Sequence, residues 1–313
     1  MDDRAKVLPG GVRAGDDVGR AMLLVVVSIL VFGAQDAISK TLVQDHSVFQ
    51  LVMIRYWAFG AFSLFLALRQ APLRQALRSK APVLQSVRGV LLIVDIWLFA
   101  TAIKTVPLAE LQAISLVYPL LVTLFAIPLL GERVGMFRIV AVMVGFAGAL
   151  VILRPGGLAI DSGVLFALAS AAAYAVYIVL TRRVARLDST STSMVYAGGI
   201  GLVMSTAVGV FFWQPLDLKA LLLVGVLMVT MTTGHGLMMK ALSLAPASVL
   251  QPFNYLSLPW GITLSYVVFG HLIDPVSLLG AAVIAGAGLV VMARERRKGA
   301  APPAVAEALG PRD

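Results

Sequence analysis

Three charged residues in this 313-residue chain are each flanked by long apolar runs: Asp36, Arg55 and Asp95. A charge in such a setting is costly unless it faces protein or water, so these residues are candidates for binding a solute or coupling an ion. At 1.5 Å per helical residue, Asp36 and Arg55 lie roughly 10–12 Å from the same end of their runs, and Asp95 falls close to that level. Two carboxylates with one guanidinium leave one acid without a counter-charge. That acid could couple a proton or anchor a cationic solute; the competing reading is a structural ion pair tying three helices together. Lys40, one turn beyond Asp36, could neutralise it, but reads better as an interface lysine whose amine reaches out of the apolar layer. Glu110, just after Pro107, sits where a helix N-terminus favours negative charge. Glu132 and Arg133 read as a loop pair.

The neutral candidates cluster by type. Gln112 with Ser115, and Gln251 with Asn254, put amides and a hydroxyl inside apolar runs, with Tyr118 and Tyr255 close by. Tyr174 and Tyr177, three apart, share one helical face. Amides and phenols around an apolar space suit an amphipathic solute with a planar or amino-acid-like part; interhelical hydrogen bonding is the alternative. His235 is the one histidine deep in an apolar run and could titrate near neutrality. It has no acid or second histidine at ligand spacing, so no metal site is expected, and no cofactor. The chain holds no cysteine, which removes disulfides, thiolate nucleophiles and cysteine metal ligands. Trp57, Trp97, Trp213 and Trp260 read as interface anchors or lipid-facing bulk, with Trp97 near Asp95.

The elements that carry these residues follow from composition. Hydrophobic residues make up 59% of the chain and charged residues 13%, with mean hydropathy +0.93. A soluble domain would carry about 25% charge, so much of this surface is expected to face lipid. Runs long enough to cross a bilayer fall near 21–43, 47–68, 84–104, 107–130, 135–153, 161–182, 192–213, 218–240, 246–269 and 273–293. Turn residues separate them, including Pro72, Gly131, Pro155, Pro215, Pro246 and Pro275. The net charge of +9 is not a nucleic-acid footprint, because the basic residues sit in short clusters between apolar runs. Of 25 Lys and Arg, twenty fall in the terminal regions and alternate connections. The opposite connections hold Lys40, Lys104, Arg154 and Lys219. That alternation predicts ten spans with both termini cytoplasmic. The first run is too long for a signal-peptide core and lacks a cleavage site. Residues 1–20 and 299–313 are expected to be cytoplasmic tails, the second disordered.

A shift of 139 residues lays the second quarter of the chain on the last. Pro107 falls on Pro246, Leu111 on Leu250, Gln112 on Gln251, Gly131 on Gly270, and Leu150 and Val151 on Leu289 and Val290. The early spans align more weakly, with Lys40 over Arg182 at a shift of 142. Each half then holds five spans, and an odd number forces the second copy to run inverted. The predicted fold is an all-α membrane protein with ten transmembrane helices in two inverted five-helix repeats, residues 21–155 and 156–298. Inverted repeats suit alternating access, in which two equivalent packings open a central site to either side; channels use them too. Small residues in spans 5 and 10 (Ala141, Gly145, Gly148; Ala282, Gly286) are expected to pack the bundle exterior or form a dimer seam.

Val106-Pro-Leu-Ala-Glu-Leu-Gln-Ala-Ile-Ser-Leu-Val-Tyr-Pro119, Leu130-Gly-Glu-Arg133, Gly145-Phe-Ala-Gly148 and Leu153-Arg-Pro-Gly156 resemble the EamA domain of the drug/metabolite transporter superfamily. In the second copy Gly270-His271 replaces Gly-Glu. Asp36-Ala-Ile-Ser-Lys40 with Arg55 is similar to bacterial members that move amino acids, riboflavin or S-adenosylmethionine. The resemblance implies a secondary active transporter of a small organic metabolite in a bacterial-type inner membrane, working as monomer or homodimer among lipid. Export is the preferred direction on family grounds, and import of the riboflavin or S-adenosylmethionine type the alternative. No nucleotide-binding motif is present, so energy would come from a gradient, with proton coupling one form. An intramembrane enzyme lacks its motifs, and a channel would want a filter-like loop.

Overall fold

The computed structural model describes residues 14–70, 72–131, 135–153, 162–185, 187–244 and 250–297, and among them there is helix but no strand. In chain order the helices are α1 (Ala14–Asp45), α2 (Val48–Gln70), the single turn α3 (Leu73–Ala76), α4 (Pro82–Thr105), α5 (Leu108–Ser115), α6 (Tyr118–Leu130), α7 (Met136–Ile152), α8 (Ser162–Val184), α9 (Thr190–Gly209) and α10 (Leu218–Leu244). A 3₁₀ stretch, Gln251–Leu256, then leads into α11 (Ser257–Phe269), and α12 (Pro275–Arg297) ends the described chain. Seven helices among the described residues are long and apolar enough to cross a membrane, with α5 and α6 counted as one, and Met136–Ile152 and Pro275–Val291 form shorter apolar helices. The large apolar surface they leave exposed, including Met143, Leu150, Val203, Phe211, Leu222 and Val267, is what a lipid-facing wall requires.

Helix α1 begins at Ala14, inside the stretch expected to be a tail. The expected fourth span is two helices. Pro119 lies in the first turn of α6 and cannot donate to the carbonyl four residues back, so α5 stops at Ser115. The other ends are fixed locally. Asp217 caps α10 through the amide of Ala220 at 2.7 Å, Ser189 caps α9 through that of Thr192 at 3.1 Å, and Asp274 accepts from the amides of Val276 and Ser277.

Element boundaries repeat along the chain. A shift of 139 carries α6 onto α11 at both ends and the start of α7 onto that of α12, and both α6 and α11 stop at a left-handed glycine, Gly131 (φ 69°) and Gly270 (φ 68°). Only glycine adopts that conformation freely. A shift of 142 carries α2 onto α9 with the 3₁₀ turn Val210–Phe212 that extends it. Packing repeats as well: α1 lies along α10 as α8 lies along α4, and α6 meets α8 as α11 meets α1, while α2 crosses α9 and α7 crosses α12.

The α7–α12 crossing is the tightest. A Cβ on Gly148 would lie 2.7 Å from the Gly280 carbonyl oxygen, and one on Gly280 would lie 2.6 Å from that of Gly148. The small residues expected at a surface or dimer seam are thus partly spent inside the chain: Gly148 on Gly280, and Gly145 against the Leu120 side chain. Glu132, Arg133, Pro155, Pro246, the junction between the two expected repeats, residues 1–13 and 299–313 lie outside the described residues.

Candidate functional site

The two helix breaks carry most of the polar candidates. Gln112, Ser115 and Tyr118 flank the α5–α6 break, and Asn254 and Tyr255 lie in the 3₁₀ stretch before α11. Interrupted helices are where a membrane bundle exposes polar groups to an internal site. The breaks meet: the Asn254 amide nitrogen donates to the Tyr118 hydroxyl at 3.2 Å. The Tyr118 ring stands edge-on to Tyr174, with centroids 5.0 Å apart, and Tyr174 stacks on Tyr177 at 5.8 Å. One wall therefore draws on α6 from the first half and on α8 and the 3₁₀ stretch from the second. Of Gln251 the backbone is described, but its side chain lies outside the described residues.

The charged residues divide into separate groups rather than one triad. Gln112 donates to Asp36 Oδ2 at 2.9 Å, and Ser170 on α8 donates to Asp95 Oδ1 at 2.5 Å. Arg55 feels Asp36 electrostatically, but no ion pair joins them, and its Nε is buried without a partner. The expected ion pair is absent because Asp36 on α1 has turned its carboxylate to Gln112 on α5. Asp36, Arg55, Tyr118, Tyr174, Tyr177, Asn254 and Tyr255 are each partly accessible although they lie among packed helices. Asp95 (9% exposed) and Gln112 (8%) are the more enclosed members.

His235 departs from the site reading. Its Nδ1 lies 2.9 Å from the Met231 carbonyl, four residues back on the same helix, and its ring packs between Phe32 and Phe59, each 5.0 Å away. Trp97 is edge-on to Phe49 with its Nε1 buried and unpartnered. Trp260 fills the face of Gly33 and donates to the Leu30 carbonyl at 3.0 Å, and Trp57 stacks on Trp213. No group of three His, Cys, Asp or Glu among the described residues could hold a metal. A cavity of about 420 Å³ lies away from this cluster, lined by Ala81, Pro82, Arg183 and Leu187 among others.

Several partners were missed in the sequence. Ser170 lies one turn before Tyr174 on the face those tyrosines share, a signal that was available. Arg88, counted there among topology-setting charges, is 3% exposed; it donates to the Ser193 carbonyl at 2.5 Å and lies over the Tyr177 ring, 5.4 Å from its centroid. Lys40 does not neutralise Asp36 and does not reach outward: its amine donates to the carbonyls of Ile103 and Val106, both at 2.8 Å. Glu110 occupies the first turn of α5, yet its hydrogen bond goes to His271, 2.8 Å away beyond α11.

With two half-chains meeting at paired helix breaks, known proteins give a decisive comparison. The model of the EamA-like transporter family matches residues 19–154 and again 161–293. This chain belongs to the EamA-like transporter family. An S-adenosylmethionine uptake transporter of Rickettsia bellii is 23% identical over 272 residues, covering 87% of this chain and 93% of that protein. A riboflavin transporter of Vibrio cholerae is 31% identical over 221 residues, covering 69% and 74%. An aromatic amino acid exporter of Ancylobacter novellus, YddG, is 35% identical over 97 residues, covering 29% and 34%. A solved structure aligns with a TM-score of 0.63 at 22% identity, covering 90% of this chain and 99% of that one, a likeness of fold. The chain is a multi-pass helical membrane protein of a transporter family.

Proposed function

We propose that this EamA-family chain is a ten-span secondary transporter that moves a small, planar, amphipathic metabolite by alternating access. Its two five-span repeats run in opposite directions. One observation carries this reading: tyrosines and amides from both halves of the chain meet where the two helix breaks touch, with Asp36 bonded to the first break through Gln112 and electrostatically coupled to Arg55. Tyr118, Tyr174, Tyr177 and Tyr255 offer ring faces and edges to a planar solute, while Asp36 and Arg55 offer one charge of each sign to its polar part. The Lys and Arg alternation supports both termini in the cytoplasm of a bacterial-type inner membrane, which makes the Asp45 end of the bundle external. The site needs one chain, so a monomer suffices; a homodimer is compatible with it.

Uptake is the direction best supported, because the relatives that cover most of this chain include ones named for uptake. Export, expected from the family at large, is the second reading, supported by the shorter match to an aromatic amino acid exporter. The test is flux into proteoliposomes holding the purified chain, with S-adenosylmethionine, riboflavin and aromatic amino acids as separate solutes, with and without a pH gradient. Saturable flux of one solute is expected. Non-saturating flux would indicate a channel, and no flux of any solute would overturn the transport reading.

A further inference from the structure

We propose that Glu110 and His271 form a latch, backed by Lys40, that holds the Asp45 end of the bundle shut and must part whenever the cleft opens to that side. The inference rests on the alternating-access reading. Here the latch is closed. His271 Nε2 meets Glu110 Oε1 at 2.8 Å, with the imidazole side chain 40% exposed and the carboxylate side chain 6% exposed, so the pair sits at the boundary between solvent and core. Lys40 bridges from α1 to the two carbonyls of the α4–α5 corner, is electrostatically coupled to Glu110, and has the Phe269 ring 5.8 Å away. Side chains thereby join α1, the α4–α5 corner and the end of α11 at this end of the bundle.

The repeat argues that this is a gate and not a generic fold brace. At the shift of 139, Glu110 corresponds to Val249 and His271 to Glu132, so the equivalent corner at the other end cannot form an acid–imidazole bond. A brace required by the fold would be expected in both copies. Ile114, Leu116 and Val117 are buried, whereas their counterparts at the same shift, Phe253 and Tyr255, are partly accessible and Leu256 is 41% exposed. Among the described residues, the break that carries the latch is the more enclosed of the two. Glu110 Oε2 is buried with no hydrogen-bond partner, so the bond to His271 is the carboxylate's one hydrogen bond across to the end of α11.

The chain has no cysteine, so thiols can be placed at will. A single cysteine at Ala113→Cys, on α5 and fully buried, reports opening by its reaction with an impermeant maleimide added from the Asp45 side. Adding Glu110→Gln or His271→Ala should raise the labelling rate at least fivefold, and the swap Glu110→His with His271→Glu should bring it back. Unchanged labelling in both single variants would overturn the latch, whatever the transport result. In parallel, Glu110→Cys with His271→Cys, bridged by a bifunctional thiosulfonate, should lose more than tenfold of its transport and recover it with reductant. The same bridge between Gln50→Cys and Gln214→Cys, at the same end, should leave transport within twofold. Full transport through a bridged 110–271 pair also overturns the latch while leaving the transporter reading intact.

Discussion

The two helix breaks are built from corresponding pieces of sequence and yet differ in burial. At the Asp45 end, α5 is wedged among α1, α4, α7, α8, α11 and α12, and every residue from Leu108 to Ile114 is buried. At the second break Gln251–Leu256, the counterpart of Gln112–Val117, is a 3₁₀ stretch that packs on α1, α11 and α12 and leaves Leu256 exposed where Val117 is buried. A 3₁₀ turn has poorer hydrogen-bond geometry than an α-helix, so this second break is the softer one. Similar sequence at the two breaks, held at different tightness, is what a two-state carrier frozen in one state would present. The site lies between the ends, and its contacts differ in the same sense. The Asp36–Gln112 bond on the tight side is shorter and charge-assisted (2.9 Å), while Asn254–Tyr118 on the looser side joins neutral groups (3.2 Å).

That difference ranks the first substitutions. Asp36→Asn removes a carboxylate from the site and should cut transport about 30-fold or more, the scale of losing a contact to a charged group worth roughly 2 kcal/mol. Arg55→Ala should match it, since no other side chain among the described residues shares the guanidinium's place. Arg55→Lys should recover only part, because a point charge replaces a planar fork. Asn254→Ala breaks a neutral bond and should cost about fivefold, near 1 kcal/mol. Initial-rate uptake at matched protein levels measures all four. If Asn254→Ala proves as damaging as Asp36→Asn, the two breaks contribute equally and the tight side has no special role. If Asp36→Asn and Asp95→Asn both keep the wild-type response to a pH gradient, neither acid couples protons.

A second contrast falls where the halves do not differ. Gly148 and Gly280 each face the other's carbonyl at nearly the same distance, so Gly148→Leu and Gly280→Leu should destabilise the bundle by similar amounts, about 1–3 kcal/mol for overpacking. Gly286→Ala, with nothing within 4 Å of the added carbon, should change stability by less than about 0.5 kcal/mol. Thermal unfolding in detergent gives the order. Unequal effects at 148 and 280 would mean that the asymmetry of the breaks extends into this crossing.

The helices were legible because bilayer thickness and hydropathy set their lengths, and the repeat was legible because Pro, Gln and Gly recur at one spacing. The site was legible as a set of residues but not as a set of bonds. Asp36, Arg55 and Asp95 share a depth, which sequence reveals; that Asp36 turns to Gln112 and Asp95 to Ser170 depends on helix rotation, which depth does not fix. His235 looked functional for its isolation, yet its bond to its own helix backbone and its two phenylalanine neighbours are those of a packed core residue. Lys40, Glu110 and Arg88 were read one helix at a time, as interface, dipole and topology charges. Each makes its principal contact with a different element, and single-helix reasoning has no view of that. The departure at Gly270-His271 was visible as a broken motif, but its partner was not.

The smallest expected effect concerns two clasps at opposite ends of the bundle, one from α2 to the chain after α9 and one from the start of α4 to the chain before α9. At the Asp45 end, Gln50 donates to the Gln214 carbonyl at 2.7 Å and accepts from the Gln214 amide at 3.2 Å, both neutral contacts. At the other end, Asp188 accepts from the Ser79 hydroxyl at 2.5 Å, the Lys80 amide at 2.8 Å and the Gln85 side chain at 2.9 Å. Burial alone would raise the Asp188 carboxyl, but these hydrogen bonds and the nearby Lys80 charge outweigh it and hold the group below the usual carboxylate range. A carboxyl lowered by folding contributes stability that is present above its unfolded value of about 4 and is lost as pH falls through its lower folded value. The parent chain should therefore lose a little stability on acidification below about pH 4 that Asp188→Asn does not lose. Gln50→Ala should give the same small offset from the parent at pH 4 and at pH 7. Parallel melting curves for the parent and Asp188→Asn down to that range would mean that the Asp188 clasp holds by shape alone, and that the two ends are braced by the same kind of contact after all.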